Sequence, residues 1–207
     1  MAVLDKSLEP KILEAAKAEF LKYGFEESSL REICKKAGVT TGALYKRYKG
    51  KDELFEAIIE DTLIDINKIL ELNLRLPIVS QNEKGEVIVD LLENGQNLKI
   101  IMDFIYLHYD GFRLLFYCAK GSRYEAFLHI FVDKSEEFVW EYIEKTIKEY
   151  DLCITVTKME LHLMLSSYWS AIFQPILHDF SKEEAINYSY KLSKLFEWKS
   201  IIAKATK

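Results

Sequence analysis

Residues 28–55 read SSLREICKKAGVTTGALYKRYKGKDELF, and this stretch decides the fold of the N-terminal part of the chain. Two short segments with helical spacing flank Gly38, and a third begins at Lys51. A helix-turn-helix needs a small residue where its helices approach, and a turn residue that tolerates positive φ. Cys34 and Gly38 meet these needs. The stretch therefore predicts a helix-turn-helix, with an apolar floor made of Ile33, Ala37, Val39 and Leu44.

The same segment concentrates positive charge in an acidic chain. Between residues 28 and 52, seven Lys or Arg residues stand against two acidic ones, a net charge of +5, whereas the whole chain carries −5. A basic patch on a helix-turn-helix is typical of proteins that neutralise DNA phosphates. Residues 53–207 carry −8, which disfavours DNA binding by that part. The alternative interpretation is a solvated basic face on a small helical bundle.

The second helix of the motif would begin near Thr40 and place its N-terminal residues in the major groove. Threonine hydroxyls can contact base edges, while Lys46 and Arg47 can neutralise phosphates. Free N–H groups at the start of the next helix, at Lys51, favour an anion. Tyr48 has a second interpretation as a core aromatic. The predicted DNA-binding residues are Ser28, Ser29, Thr40, Thr41, Gly42, Ala43, Tyr45, Lys46, Arg47, Tyr48 and Lys51.

Helical spacing of apolar residues continues along most of the chain, which contains only three Pro and eight Gly. This pattern predicts an all-α protein. The predicted division is a three-helix helix-turn-helix head over residues 1–52 and a larger helical body over residues 53–207. The predicted helices cover 10–23, 29–37, 40–47, 51–75, 86–108, 111–119, 123–150, 157–178 and 182–203. Capping boxes, in which a hydroxyl and a carboxylate satisfy free backbone N–H groups at a helix start, are predicted at Ser29/Glu32, Ser122/Glu125, Thr157/Glu160 and Ser181/Glu184.

The run from residue 24 to residue 55 resembles the signature of the TetR family of transcriptional repressors. The resemblance covers about residues 8–58. Gly50 stands where the family usually has Ser or Asn, and Cys34 where it has Ala. The resemblance implies an Ω-shaped homodimer that binds a pseudo-palindromic operator and is released by a small molecule held in the body. The matching positions are Gly24, Phe25, Leu44, Tyr45, Tyr48 and Lys51.

The stretch 161–178 has no charged residue of the Asp, Glu, Lys or Arg types and is apolar on nearly all sides. Such a helix is buried on two faces, which predicts contact with its own core and with a partner subunit. The resemblance implies a four-helix interface at this place. An internal helix of a monomer is one alternative; a membrane span is rejected, because the stretch is short and contains three Ser, a Gln and a Pro. The predicted dimer-interface residues are Leu161, Leu165, Tyr168, Ile172, Tyr188, Leu192 and Leu195.

Aromatic residues are dense between residues 104 and 140. The resemblance implies an inducer cavity in this part, and aromatic walls suit a flat, mostly apolar small molecule. The same spacing also fits an ordinary helical core. The candidate ligand-binding residues are Phe104, His108, Phe112, Phe116, Tyr124 and Phe127.

Motifs for catalysis, cofactors or metals are absent from the sequence. The three Cys lack a C-x-x-C pair, and the four His have no tight ligand spacing. Glu160 and His162 lie on different sides of one helix. No enzymatic activity, cofactor or metal is therefore expected. The N-terminus is charged where a signal peptide would be apolar, so a cytoplasmic location is expected.

The sequence thus predicts a DNA-binding transcriptional regulator, a repressor released from its operator by a ligand. One alternative is a helical ligand-binding or enzymatic protein with an incidental basic head. A second is a regulator without an inducer, whose body only dimerises.

Overall fold

Helices account for most of the chain in the computed structural model, which describes residues 6–73, 78–81, 87–90, 95–150, 152–196 and 203–205. The all-α prediction is confirmed. A 3₁₀ turn at Lys6–Leu8 precedes the first helix, and a π-helix at Leu114–Cys118 follows the sixth. The α-helices are α1 (Glu9–Glu27), α2 (Leu30–Ala37), α3 (Thr41–Tyr45), α4 (Lys51–Asn73), α5 (Gly95–Leu107), α6 (Tyr109–Arg113), α7 (Phe127–Tyr150), α8 (Lys158–Leu177) and α9 (Lys182–Ser193).

Within the described residues, four short strands interrupt this helical pattern. β1 (Ile78–Gln81) pairs antiparallel with β2 (Val87–Asp90), with Val79 opposite Val89. β3 (Leu152–Ile154) pairs antiparallel with β4 (Ala203–Ala205). The helix predicted over 86–108 is therefore wrong in its first part, because the β-branched run at residues 87–89 favours extended backbone. The helix predicted over 182–203 is likewise shorter, since α9 ends at Ser193 and residue 203 begins a strand.

Backbone contacts divide the chain into two units. The first unit comprises Met1–Asp65 and His108–Phe127, and the second comprises Ile66–Leu107 and Leu128–Lys207. A functional boundary after residue 52 stays a prediction. By backbone contacts, the unit that contains the head is larger than residues 1–52. The first unit includes most of α4, together with α6 and the π-helix, which packs against α1.

An aromatic cluster forms the core of the first unit beneath the helix-turn-helix. The ring of Phe20 lies 5.2 Å from that of Phe55 and 5.9 Å from that of Phe25, measured between centroids. Gly24 sits between these aromatics with φ +73°, and it breaks the helical path within α1. Glycine adopts this conformation without the strain that a side chain would add. The prediction that a helix ends near Gly24 thus corresponds to a kink, after which α1 continues to Glu27.

In the second unit, α9 packs against both α5 and α8. Phe131 of α7 packs edge-on against Trp169 of α8, with ring centroids 4.9 Å apart. Both capping boxes predicted in this unit are present: Glu160 accepts hydrogen bonds from the Thr157 backbone, and Glu184 does the same at Ser181. Among the helices of the described residues, none combines the length and the apolar character that crossing a bilayer requires.

Candidate nucleic-acid interface

A glycine turn orders the two helices of the predicted motif. α2 ends at Ala37, and Gly38 follows in the left-handed region with φ +67° and ψ +33°. The N–H of Gly38 donates to the carbonyl of Lys35 at 3.3 Å, and that of Val39 donates to the carbonyl of Cys34 at 3.0 Å. These bonds satisfy carbonyls at the end of the helix, as a C-terminal glycine cap does. The turn predicted from the sequence is therefore present at Gly38.

Thr40 begins the second helix of the motif. Its Oγ1 accepts a hydrogen bond from the N–H of Ala43 at 3.1 Å, which is the N-cap geometry. The helix itself, α3, spans Thr41–Tyr45, so the predicted range of 40–47 is slightly too long. Lys46 and Arg47 belong to the turn that follows.

The predicted floor of the motif is packed as expected. Ile33 and Leu44 are fully buried, and Cys34 and Ala37 are nearly so, while Val39 is half-buried. Burial also raises the pKa of the Cys34 thiol. A buried thiol with a raised pKa has little thiolate, so Cys34 acts as a packing residue.

The opposite side of α3 is open to solvent. Thr40, Thr41, Gly42 and Lys46 are exposed, and Ala43 is half-buried. Tyr45 exposes 55% of its surface although it directly follows the fully buried Leu44. A large aromatic side chain that its own chain leaves uncovered has area available for a partner surface.

Two of the predicted DNA contacts lie inside the head instead. Ser28 is buried, and its Oγ donates to the carbonyl of Phe25 at 2.7 Å. Tyr48 is 7% exposed, and desolvation is the main reason that its pKa is raised. The structure thus supports the core interpretation of Tyr48 and corrects the placement of both residues at the interface. Ser29 is half-buried at the start of α2.

Arg47 and Lys51 are each held by a backbone carbonyl at a helix end. Nη1 of Arg47 donates to the carbonyl of Ala43 at 2.9 Å. Nζ of Lys51 donates to the carbonyl of Glu26 at 3.0 Å and lies 4.9 Å from the centre of the Phe25 ring. Partial burial lowers the pKa of Lys51, because it disfavours the charged ammonium. These contacts hold the side chains of Arg47 and Lys51 in place. That the two cations bind phosphate remains a prediction.

Sequence reasoning missed a buried carboxylate behind this basic surface. Glu19 of α1 is 3% exposed, and its Oε2 lies 2.5 Å from Nζ of Lys36 on α2. Its other oxygen, Oε1, accepts from the N–H of Ser29 at 3.4 Å. Glu19 therefore ties α1 to both ends of α2 and neutralises one of the charges counted in the basic patch. The partners are 17 residues apart, so no local pattern indicated the pair.

The structure brings together three of the six candidate ligand residues. The rings of Phe112 and Phe116 stack at 5.8 Å, and Phe127 meets Phe116 edge-on at 5.5 Å. Nε2 of His108 lies 3.2 Å from Oδ2 of Asp65. Phe112 is buried, whereas Phe116 and Phe127 are half-buried. Phe104 is on α5, which belongs to the second unit.

Tyr124, the sixth candidate, belongs to a charged network within the first unit. Its hydroxyl donates to Oε1 of Glu56 at 2.7 Å, and burial together with that carboxylate raises the pKa of Tyr124 to about 12. The guanidinium of Arg123 bonds to the other oxygen of Glu56. Nζ of Lys120 lies 2.9 Å from the carboxylate of Glu26. Residues 120–124 are therefore attached at two points to the helices that carry the head.

The predicted dimer residues fall mostly inside the second unit. The four on α8 and Leu192 on α9 are buried in this chain, which makes them core residues and corrects their assignment to a partner-facing surface. Tyr188 is half-buried and donates to the carbonyl of Ala171 at 3.2 Å. Leu195 is 79% exposed, as an interface residue would be. The other large apolar residues exposed between residues 158 and 196 are Met159, Leu163, Leu177, Phe180 and Tyr190.

Comparison with known proteins gives a match for the head. Residues 12–58 match the family described as "Bacterial regulatory proteins, tetR family". The chain is 32% identical to the HTH-type transcriptional regulator AcrR of Shigella flexneri over 99 residues, 46% of each chain. It is 40% identical to the HTH-type transcriptional regulator TtgR of Pseudomonas putida over 50 residues, 24% of each chain. The chain spans less than half the length of the curated relatives it matches.

Solved structures are similar over nearly the whole chain. A TetR-family transcriptional regulator from Bordetella parapertussis aligns with a TM-score of 0.64 and 14% identity, over 94% of this chain and 96% of that one. GusR of Salmonella enterica aligns with a TM-score of 0.57 and 18% identity, over 94% and 96% of the two chains. At these identities the likeness shows the fold.

Proposed function

We propose that this chain, whose residues 12–58 match the TetR family of bacterial regulatory proteins, is a regulator of transcription that binds operator DNA through α3. The observation that carries the proposal is the two-sided character of α3. Leu44 is fully buried in the floor, while Thr41 and Tyr45 are exposed on the side away from it. Residues that lie one turn apart on an open helix face can enter a major groove together.

In this proposal, contacts to phosphates and contacts to bases have different carriers. Lys46 is exposed just after α3 and would neutralise a phosphate, whereas Thr41 and Tyr45 would contact base edges. The ion pair between Glu19 and Lys36 keeps α2 in place behind α3. The hydrogen bonds to the carbonyls of Ala43 and Glu26 hold the side chains of Arg47, just after α3, and Lys51, at the start of α4. The head would thus present a preformed surface to DNA.

A homodimer is the second part of the proposal. A helix-turn-helix dimer binds two half-sites about 34–36 Å apart on a pseudo-palindromic operator. Support comes from the exposed Met159, Leu163 and Leu195, because apolar side chains that one subunit leaves open can be covered by another. The partner-facing surface would be formed by these outward residues and not by the buried side of α8.

Release by a small molecule is the third part. Phe112, Phe116 and Phe127 pack in the same unit as the head, and residues 120–124 bond to Glu26 and Glu56 of that unit. A ligand that separated the rings would disturb this attachment. The ligand would release the protein from DNA only if it bound the DNA-incompetent state more tightly than the DNA-binding state. A ligand with equal affinity for both states would not change their populations. No catalytic step is part of the proposal, and a cytoplasmic site of action follows from access to DNA.

The test is a fluorescence-anisotropy titration of the full chain on the DNA upstream of its own gene, beside unrelated DNA. We expect sequence-selective binding that the Tyr45→Ala variant weakens by about fivefold or more, since a lost base contact costs about 1–3 kcal/mol. Tyr150→Ala is the matched control, because Tyr150 is also exposed but lies at the end of α7. Equal affinity of wild type and Tyr45→Ala for every DNA would overturn the role of α3 and favour a protein with an incidental basic head.

A further inference from the structure

We propose that Asp133, Glu136 and His162 form a binding site for a divalent transition-metal ion of the zinc class. Asp133 and Glu136 lie one turn apart on α7, and His162 faces them from α8. Nδ1 of His162 is 2.7 Å from Oε2 of Glu136 and 3.6 Å from Oδ1 of Asp133. One ligand atom from each residue lies within 4.8 Å of the other two. In the part of the chain that the structure describes, no second group of three such residues meets this spacing.

The distances fit a small cation. Zinc binds imidazole nitrogen and carboxylate oxygen at about 2.0–2.2 Å, which separates neighbouring ligands of a tetrahedral ion by roughly 3.3 Å. The two distances from Nδ1 of His162 lie on either side of this value, and the separation between the two carboxylates is within 4.8 Å, so side-chain rotations would bring all three ligand atoms to the spacing of a tetrahedral ion. Three protein ligands would leave a fourth position for water or another exchangeable ligand.

The donor set selects among metals. A neutral imidazole with two carboxylates suits Zn²⁺ and its neighbours in the first transition row. Ca²⁺ prefers six to eight oxygen ligands, and Mg²⁺ prefers oxygen ligands in octahedral geometry, so neither suits a site with a nitrogen donor and so few oxygens. The spacing of His residues in the sequence predicted no metal. That prediction considered Glu160 beside His162 on one helix, whereas the carboxylates near His162 come from α7.

A simple ion pair between helices is the competing explanation, and Asp133 distinguishes the two. A pair of His162 and Glu136 would need no third residue, yet Asp133 also directs a carboxylate oxygen to the same ring nitrogen. Lys158 provides a second way to distinguish the metal site from the ion pair. Its Nζ lies 3.5 Å from Oε1 of Glu136, the carboxylate oxygen that does not face His162. An ammonium at that position stabilises the carboxylate but repels an incoming cation.

Isothermal titration of the full chain with Zn²⁺, in the presence of a weak competing chelator, tests the proposal. We expect one Zn²⁺ site per chain that Asp133→Asn and His162→Gln each weaken at least about tenfold. His129→Gln is the matched control, because His129 is exposed on the same helix α7 but is not among the three ligands. Lys158→Met should bind Zn²⁺ more tightly than the wild type. Mg²⁺ should give no comparable heat.

Thermal unfolding with and without Zn²⁺ provides the second readout. Binding to the folded state alone raises the melting temperature, and this rise should disappear in Asp133→Asn. Asp133 is exposed, so its variant is expected to melt like the wild type without metal, which separates loss of binding from loss of fold. The proposal is overturned if Asp133→Asn binds Zn²⁺ as tightly as the wild type does, or if the wild type does not bind Zn²⁺. It is also overturned if His129→Gln loses as much Zn²⁺ affinity as the variants of the three ligands. None of these outcomes depends on DNA binding.

Discussion

Glu19 and Lys36 form an ion pair in which the carboxylate is buried and the ammonium is partly open to solvent, with Oε2 and Nζ 2.5 Å apart. The pair joins α1 to the C-terminal end of α2, while the second oxygen of Glu19 holds the N–H of Ser29 at the other end. One carboxylate of α1 therefore bonds to both ends of α2 and helps to fix the orientation of that helix on α1.

Lys36→Met should destabilise the protein, because it leaves the buried carboxylate of Glu19 without its cation. Breaking a fully buried pair costs about 3–5 kcal/mol, and the partial exposure of Lys36 reduces the expected loss to about 1–3 kcal/mol. The measurement is the free energy of unfolding in urea. Replacing both partners, as Glu19→Leu with Lys36→Met, should recover part of the loss. If Lys36→Met alone were as stable as the wild type, the buried carboxylate of Glu19 would not depend on the ion pair for its stability.

Gly111→Ala should also destabilise the first unit, for a steric reason. A Cβ at this position would lie 1.9 Å from Oγ1 of Thr62, so α6 could not keep its close approach to α4. Overpacking of this kind typically costs about 1–3 kcal/mol in free energy of unfolding. Adding Thr62→Ala should restore part of it, because the hydroxyl and methyl that clash are removed.

The matched control for this clash is Gly50→Ala. A Cβ at Gly50 has no neighbour within 4 Å, and the glycine has no positive φ. This variant should stay within about 0.5 kcal/mol of the wild type in free energy of unfolding, since changes that create no clash and remove no buried contact are usually that small. If Gly50→Ala and Gly111→Ala lost the same stability, the contact with Thr62 would not be the cause.

The two capping boxes of the second unit predict an acid-sensitive contribution to stability. Hydrogen bonds from Thr157 lower the pKa of Glu160, and those from Ser181 lower the pKa of Glu184, from the ordinary value of 4.5. A carboxylate whose pKa is depressed by folding stabilises the folded state above its unfolded pKa and loses that effect as the pH falls through the folded pKa.

The difference in unfolding free energy between wild type and Glu160→Ala should therefore be full at pH 7 and should shrink below about pH 4.5. Urea titrations at several pH values measure this difference. Carbon-13 NMR titration of the Glu160 carboxyl gives the pKa directly. A carboxyl that titrates at or above 4.5 would contradict the cap.

Local signals in the sequence predicted the fold where the partners are also local. The boxes at Thr157 and Ser181 formed as expected. The box predicted at Ser29 did not, because the backbone N–H that Glu32 would have bound donates to Glu19 from another helix. At Ser122 the chain makes a turn: Glu125 accepts from the N–H of Gly121 at 3.1 Å, and α7 begins only at Phe127.

The candidate site shows the same division between local and distant partners. The glycine turn at Gly38, the buried Leu44 and the exposed Tyr45 followed from spacing within one motif. The buried environment of Tyr48 and the proposed cluster at His162 depend on residues far along the chain. For His162, the partner Glu136 is 26 residues away on another helix. Spacing within one helix shows which residues share a face, and only the folded structure shows what covers that face.

Lys46 and Tyr45 should differ in the kind of DNA binding that they support. Lys46→Ala removes a cation that would release counterions, so affinity should fall by a similar factor on all sequences, and the slope of log affinity against log salt should lessen by about 0.9. Tyr45→Ala should instead reduce the preference for the operator over unrelated DNA and leave the slope nearly unchanged. Anisotropy titrations at four salt concentrations measure both quantities.

Lys145→Ala, an exposed change on α7, serves as the control for overall charge and should alter neither the salt slope nor the preference for the operator. If Lys46→Ala left the slope unchanged, phosphate contact would have to come from other cations of the head, such as Lys51, whose ammonium has further donors beside the one bonded to the carbonyl of Glu26.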